Sequence, residues 1–298
     1  MHQPHCERPG HQAGPAGADD EDAPVPQRSE DRRGQPVDRL LVQGGEVLPQ
    51  GINQQERPLF DSQGDPLCPS RSPNILLPRP PSGVEVFVSL DVVELGRAVK
   101  IALEAWSAGI RHIEVGTPLI KAEGVRAIRV LREALPEAVI FADTKTADAG
   151  SLEARMALEA GANIMSVLGS APDATIRSAV EAARELGGTV LVDSLGLGDR
   201  VVERAKAASR LGAGMICLHT GVDEGVFSDE GLLTELRGLG VKVGAAGGLD
   251  PEGVSRLVGL ADFVMVGRYI TGSEDPGKAA ARVLEVTRSP DSPDEPTR

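Results

Sequence analysis

Between Val84 and Val286 the chain repeats one pattern eight times: a short β-branched run, then a longer Ala/Leu/Glu/Arg segment of helical period. The runs are Val84–Leu90, His112–Val115, Ala138–Ala142, Ile164–Leu168, Thr189–Val192, Gly214–Leu218, Val241–Ala245 and Phe263–Val266. Most are too evenly apolar to have a wet face, so they read as strands of a parallel sheet buried on both sides. Helices are expected between them over 94–108, 120–135, 150–161, 173–187, 198–212, 229–239, 251–259 and 275–287. Pro172-Asp173 and Asp250-Pro251 carry helix-start chemistry. Gly109, Gly161, Gly187 and Gly212 stand where helices end. An open doubly wound sheet stops at five or six strands and places a glycine-rich phosphate loop after the first. Here the first strand runs into Asp91-Val92-Val93-Glu94. A closed (β/α)8 barrel, the TIM-barrel form of α/β architecture, is the better expectation.

The barrel is expected over residues 83–288, with disordered segments at 1–82 and 289–298. Of the 22 prolines, 14 precede residue 83, and no apolar periodicity there lasts two turns. Such a segment buries too little surface to offset the entropy of ordering. It reads as a disordered tail, or as sequence ahead of a true start further downstream. Its apolar patch at Leu40-Leu41-Val42 is weak, and His2, His5, Cys6 and His11 lack the second pair that a metal site would need.

A formal charge of −13 argues against a nucleic-acid surface, though not against one bound phosphate. Three cysteines at unrelated spacings give neither a disulfide framework nor a zinc pattern, which fits a reducing cytosol and a cytoplasmic protein. No apolar run reaches membrane-spanning length, and no signal-peptide core is present.

Chemistry is expected where the strands end, because in such a barrel the following loops converge on one face. The third run ends abruptly in Asp143, Lys145 and Asp148, three charges read as crowding one short loop. Asp91 follows strand 1, Glu114 lies on strand 2, and Gly169 and Asp193 follow strands 4 and 5. His219 follows strand 6 and suits proton transfer. Gly247-Gly248 and Gly267-Arg268 follow strands 7 and 8, the usual phosphate position of a barrel. Glu114 and Asp143 could share a hard divalent cation such as Mg²⁺, with Lys145 limiting the negative charge. Cation and lysine together would suit an enediolate. His112 starts its strand, at the opposite mouth, and reads as structural. A surface ion-pair network on a loop is the blander alternative for the charges.

These residues resemble the orotidine-5'-phosphate decarboxylase suprafamily, whose marker D-x-K-x-x-D is met in full by Asp143, Lys145 and Asp148. Within it the chain is similar to the 3-hexulose-6-phosphate synthases. The similarity rests on SLD at Ser89–Asp91, EVGTPLI at Glu114–Ile120, ADTKTADAG at Ala142–Gly150, VLG at Val167–Gly169, HTGVD at His219–Asp223 and AAGGL at Ala245–Leu249. The resemblance implies an Mg²⁺-dependent lyase that joins ribulose 5-phosphate and formaldehyde by aldol addition. It implies Glu114 and Asp143 as metal ligands, Lys145 at the enediolate and His219 in proton transfer. Asp91 would meet sugar hydroxyls, and the late glycines with Arg268 would hold phosphate. A homodimer is implied, with Asp148 reaching the neighbour's site. EGVFSDEG after HTGVD departs from the synthase pattern and leaves the exact sugar open. A 3-keto-L-gulonate-6-phosphate decarboxylase, an orotidylate decarboxylase-like enzyme and a non-catalytic scaffold are the rivals.

Overall fold

The structure, a computed structural model, describes residues 83–287. The tails expected at 1–82 and 289–298, with the His2/His5/Cys6/His11 group and the Leu40–Val42 patch, lie outside the described residues. The elements are β1 (Glu85–Leu90), α1 (Leu95–Ala108), β2 (His112–Val115), α2 (Thr117–Glu123), α3 (Arg126–Ala134), β3 (Val139–Thr146), α4 (Gly150–Glu159) and β4 (Ile164–Leu168). They continue with α5 (Asp173–Glu185), β5 (Thr189–Asp193), α6 (Val201–Leu211), β6 (Met215–His219), α7 (Glu230–Leu236), β7 (Lys242–Ala246), α8 (Pro251–Leu257), β8 (Phe263–Val266), α9 (Arg268–Thr271) and α10 (Pro276–Thr287). Every strand pairs in parallel with its neighbour in sequence, and β8 closes on β1 with Val86 opposite Val264.

The period-two pleat sorts each strand between two cores. Val86, Val88, Ile140, Ala142, Val190 and Val192 face outward and join the helices in the larger core. Phe87, Phe141, Leu191, Met215, Phe263 and Met265 face inward. Three of the five phenylalanines therefore meet inside the barrel, Phe87 lying 6.2 Å from Phe141 and 5.8 Å from Phe263, edge to face. Burying each contributes roughly 2–3 kcal/mol. Two residues further along the same inward columns stand Ser89 and Asp143, so the aromatic layer is the floor of whatever the C-terminal mouth holds.

The N-terminal mouth is closed by a buried ion pair. Lys242 Nζ lies 2.6 Å from Glu85 Oε1. His112 packs on the Phe87 ring, centroids 4.7 Å apart, with Nε2 3.9 Å from Glu85 Oε2. Burial, helped by the charge of Lys242, pushes His112 down to about 4. His112 thus sits at the mouth expected for it.

Several expected boundaries move. The helix expected over 120–135 is two, because Gly124 adopts φ +64 and breaks the ladder between α2 and α3. The segment expected over 198–212 opens with a 3-10 turn at Gly198–Arg200 before α6. A short α9 follows β8 with no counterpart in the expectation. Gly109, Gly161, Gly187 and Gly212 all follow helices with positive φ, as expected. The Asp250 side chain accepts from the Gly253 N–H and caps α8. On the outer ring, α1 and α10 flank a groove of about 510 Å³ lined by residues such as Leu103, Ala108 and Ala281. None of the strand-end charges lines it.

Candidate active site

The largest correction concerns β3. The strand does not stop at Ala142 but runs to Thr146, so Asp143 and Lys145 belong to the sheet and not to a loop. Charged residues read as a strand end only when the strand face is dry, and the upper barrel interior is a polar mouth. Against β4 the ladder jumps from Ala142↔Met165 to Thr146↔Val167, so four steps of β3 span two of β4. Such a bulge re-aims side chains. It places Lys145 at φ +46, the left-handed region that residues with a Cβ rarely adopt.

Lys145 Nζ donates to Asp143 Oδ2 at 2.6 Å and to Asp193 Oδ2 at 3.0 Å. Burial works against its charge, but Asp143 and Asp193 outweigh that and hold the ammonium above the ordinary lysine range. Asp193 is the hub, its Oδ2 also meeting His219 Nδ1 at 2.9 Å. Its Oδ1 accepts from the Leu195 N–H at 2.9 Å. Burial opposes ionisation of Asp193, yet the hydrogen bond and charge of His219, with Lys145, lower its carboxyl to about 2. An ionised Asp193 cannot donate, so Nδ1 of His219 carries the proton toward it. That leaves Nε2 as the basic nitrogen of the neutral ring.

Asp143 is buried and held through both carboxylate oxygens. Its Oδ1 accepts from Ser166 Oγ at 2.9 Å, and its Oδ2 from Thr117 Oγ1 at 2.8 Å. Glu114 stands one strand away and also faces inward, hydrogen-bonded by Ser89 Oγ. Burial, then the charges of Asp143 and Asp91, raise its carboxyl well above the usual range. Asp91 is exposed at the rim, and its carboxylate lies against Gly116 and Gly267, where any Cβ at 116 would collide with it.

The remaining expected residues are distributed around the same mouth. Gly169 is buried, its N–H donating to the Asp193 carbonyl at 2.7 Å. Gly247 and Gly248 turn the chain after β7 at φ +121 and +62, and Gly267 follows the neighbouring β8. Arg268 begins α9 with its side chain exposed. Asp148 does not join the Asp143–Lys145 cluster: it is exposed, and its Oδ1 accepts from the Ala149 N–H at 2.7 Å. Ser89, Thr117 and Ser166, which grip the two buried acids, received no role in the sequence reading. Ser89 and Ser166 lie inside apolar runs and Thr117 opens α2, and such small hydroxyls give no signal until the register is known. Among the described residues no three His, Cys, Asp or Glu side chains converge as a ready-made metal cage.

A closed parallel barrel with a lysine, a histidine and four carboxylates gathered at its C-terminal mouth defines a (β/α)8 enzyme architecture. The family model for the orotidine 5'-phosphate decarboxylase / HUMPS family matches residues 85–283, and the chain belongs to that family. It is 36% identical over 208 residues to the 3-hexulose-6-phosphate synthase of Bacillus subtilis, covering 68% of this chain and 98% of the relative. A crystal structure of a 3-hexulose-6-phosphate synthase superimposes with a TM-score of 0.64 at 36% identity, covering 69% of this chain and all of the other. The 3-keto-L-gulonate-6-phosphate decarboxylase of Vibrio cholerae gives 0.62 at 31%, covering 69% of this chain and 98% of the other.

Proposed function

We propose that this enzyme catalyses the aldol condensation of D-ribulose 5-phosphate with formaldehyde to 3-hexulose 6-phosphate through an enediolate. The observation that carries the reading is the linked set Lys145–Asp193–His219. An ammonium and a basic imidazole nitrogen are tied to one ionised carboxylate above an apolar floor. His219 Nε2 takes the proton from C1 of the sugar phosphate. Lys145 faces the oxygen charge that develops as C1 and C2 become an enediolate. C1 then forms the new bond to the formaldehyde carbon, and a proton returns to the resulting alkoxide. Asp91 binds sugar hydroxyls. Gly247, Gly248 and Gly267 offer backbone amides, and Arg268 a guanidinium, to the phosphate, while the Gly169 N–H is already taken by the Asp193 carbonyl.

Glu114 and Asp143 suit a divalent cation, Mg²⁺ in this reading. They are two buried acids from adjacent strands whose mutual repulsion calls for positive charge. Mg²⁺ needs only one or two protein carboxylates and keeps its waters. When bound it supplies electrostatic stabilisation of the enediolate oxygens. A homodimer is part of the proposal. Leu152 and Met156, four residues apart on α4 just beyond Asp148, leave 61% and 48% of their surface exposed, an apolar stripe suited to a second copy.

The test is formaldehyde-dependent consumption of ribulose 5-phosphate, with Mg²⁺ and with chelator. Product with Mg²⁺ alone supports the reading, and absence of product in both conditions overturns it. Decarboxylation of 3-keto-L-gulonate 6-phosphate is the second reading, favoured by the comparable structural fit to the Vibrio cholerae enzyme. HTGVD after β6, where that sister group carries H-R-x-R-D, speaks for the synthase.

A further inference from the structure

We infer that Ser166 on β4 is a positioning residue, its hydroxyl pinning the bulged end of β3 so that Lys145 reaches between Asp143 and Asp193. The inference rests on the proposed function only for its kinetic readout. Ser166 is fully buried. Its Oγ donates to Asp143 Oδ1 at 2.9 Å and accepts from the Lys145 N–H at 2.8 Å. A hydroxyl offers one donor and two acceptor sites, so both bonds form at once. The bulge removes Lys145 from the regular β3–β4 ladder, and the Ser166 side chain supplies the partner its N–H would lack. Thr144 Oγ1 adds a second tie by donating to the Ser166 carbonyl at 2.7 Å. Lys145 holds φ +46 within this grip. Without it the backbone is free to return to an ordinary extended conformation, which turns the side chain away from the gap between the two carboxylates. A serine buried merely for packing would have no reason to bond both members of the Asp-x-Lys pair.

Three variants decide the matter. Ser166→Ala is expected to lower kcat about 10- to 100-fold while KM for ribulose 5-phosphate stays within about threefold, since the pin acts on the developing charge and not on phosphate binding. Ser166→Thr, which keeps the hydroxyl, is expected to recover most of that loss. Crystal structures of the wild type and the Ala variant give a readout independent of turnover. They should show φ of Lys145 leaving the left-handed region and Nζ beyond hydrogen-bond distance of Asp193. Should the Ala protein not fold, Ser166→Cys, which retains a side chain but only weak hydrogen bonding, is measured in its place. Wild-type kcat in the Ala or Cys variant overturns the inference, as does an unmoved Lys145 in the crystal. If the wild type itself turns over neither substrate, the proposed function fails, and the crystallographic comparison alone settles the role of Ser166.

Discussion

At the N-terminal mouth of the barrel one ammonium, Lys242, meets one carboxylate, Glu85, beside a histidine whose charge is suppressed. At the C-terminal mouth one ammonium, Lys145, meets two carboxylates directly, with Glu114 acting on it from nearby. Both sets are buried or partly so, and both are carried by strands of the same closed sheet. The lower set is balanced, so it closes the barrel and asks for nothing more. The upper set gathers more carboxylates than cations, an imbalance that marks a candidate functional site and that the proposed divalent cation would offset.

Breaking the upper set should abolish chemistry and spare the fold. Asp143→Asn removes a charge that Lys145 and the proposed cation both need. A loss of about 10³-fold in kcat/KM is expected, roughly 4 kcal/mol of transition-state stabilisation. A thermal melt within a few degrees of wild type would accompany it. Wild-type turnover in this variant would remove Asp143 from the mechanism.

Breaking the lower set should do the opposite. Lys242→Ala strands the Glu85 carboxylate and should cost about 3 kcal/mol in denaturant unfolding, with kcat/KM unchanged within about twofold at a temperature where the variant is folded. A variant as stable as wild type but inactive would mean the two mouths are coupled.

A pH titration sharpens the contrast. The ordinary histidine value of 6.5 falls to about 4 for His112 in the fold. Between those values the unfolded chain binds a proton that the folded chain refuses, so stability falls as pH drops from 6.5 to 4 and levels off below. The span is on the order of 3 kcal/mol at most. Unfolding free energies at pH 7 and pH 4.5 should therefore differ less in His112→Asn than in wild type. An identical pH slope in both proteins would refute the assignment.

The smallest effect has the most unusual sign. Glu114→Gln relieves repulsion with Asp143 and Asp91 and should stabilise the protein in chelator by about 1 kcal/mol, while lowering Mg²⁺-dependent activity. Destabilisation in chelator would show that the crowding of acids is already compensated by the fold.

Much of this was legible from the chain. Eight strand–helix units fix the barrel, and the Asp143–Lys145 pair was marked by its charges right after a buried run, although its final geometry depends on the bulge. Periodicity alone ends the strand four residues early, because Asp and Lys look like loop residues to any rule based on average burial. Asp148 read as a third member of the cluster, yet three further residues of a kinked chain carry it to the surface. Thr117, Ser89 and Ser166 were invisible for a different reason. Each acts only through a partner on a different element.

The sequence by itself determined the alternation, the two-sided burial of the strands and the set of charged residues that could not be core. These follow from local periodicity and from the cost of burying charge. The tertiary structure alone decided which charges meet. The closed ring sets the register between strands, and the bulge in β3 shifts that register where Lys145 must turn inward. Hydrogen bonds acting over about 3 Å depend on that register, which no spacing along the chain encodes.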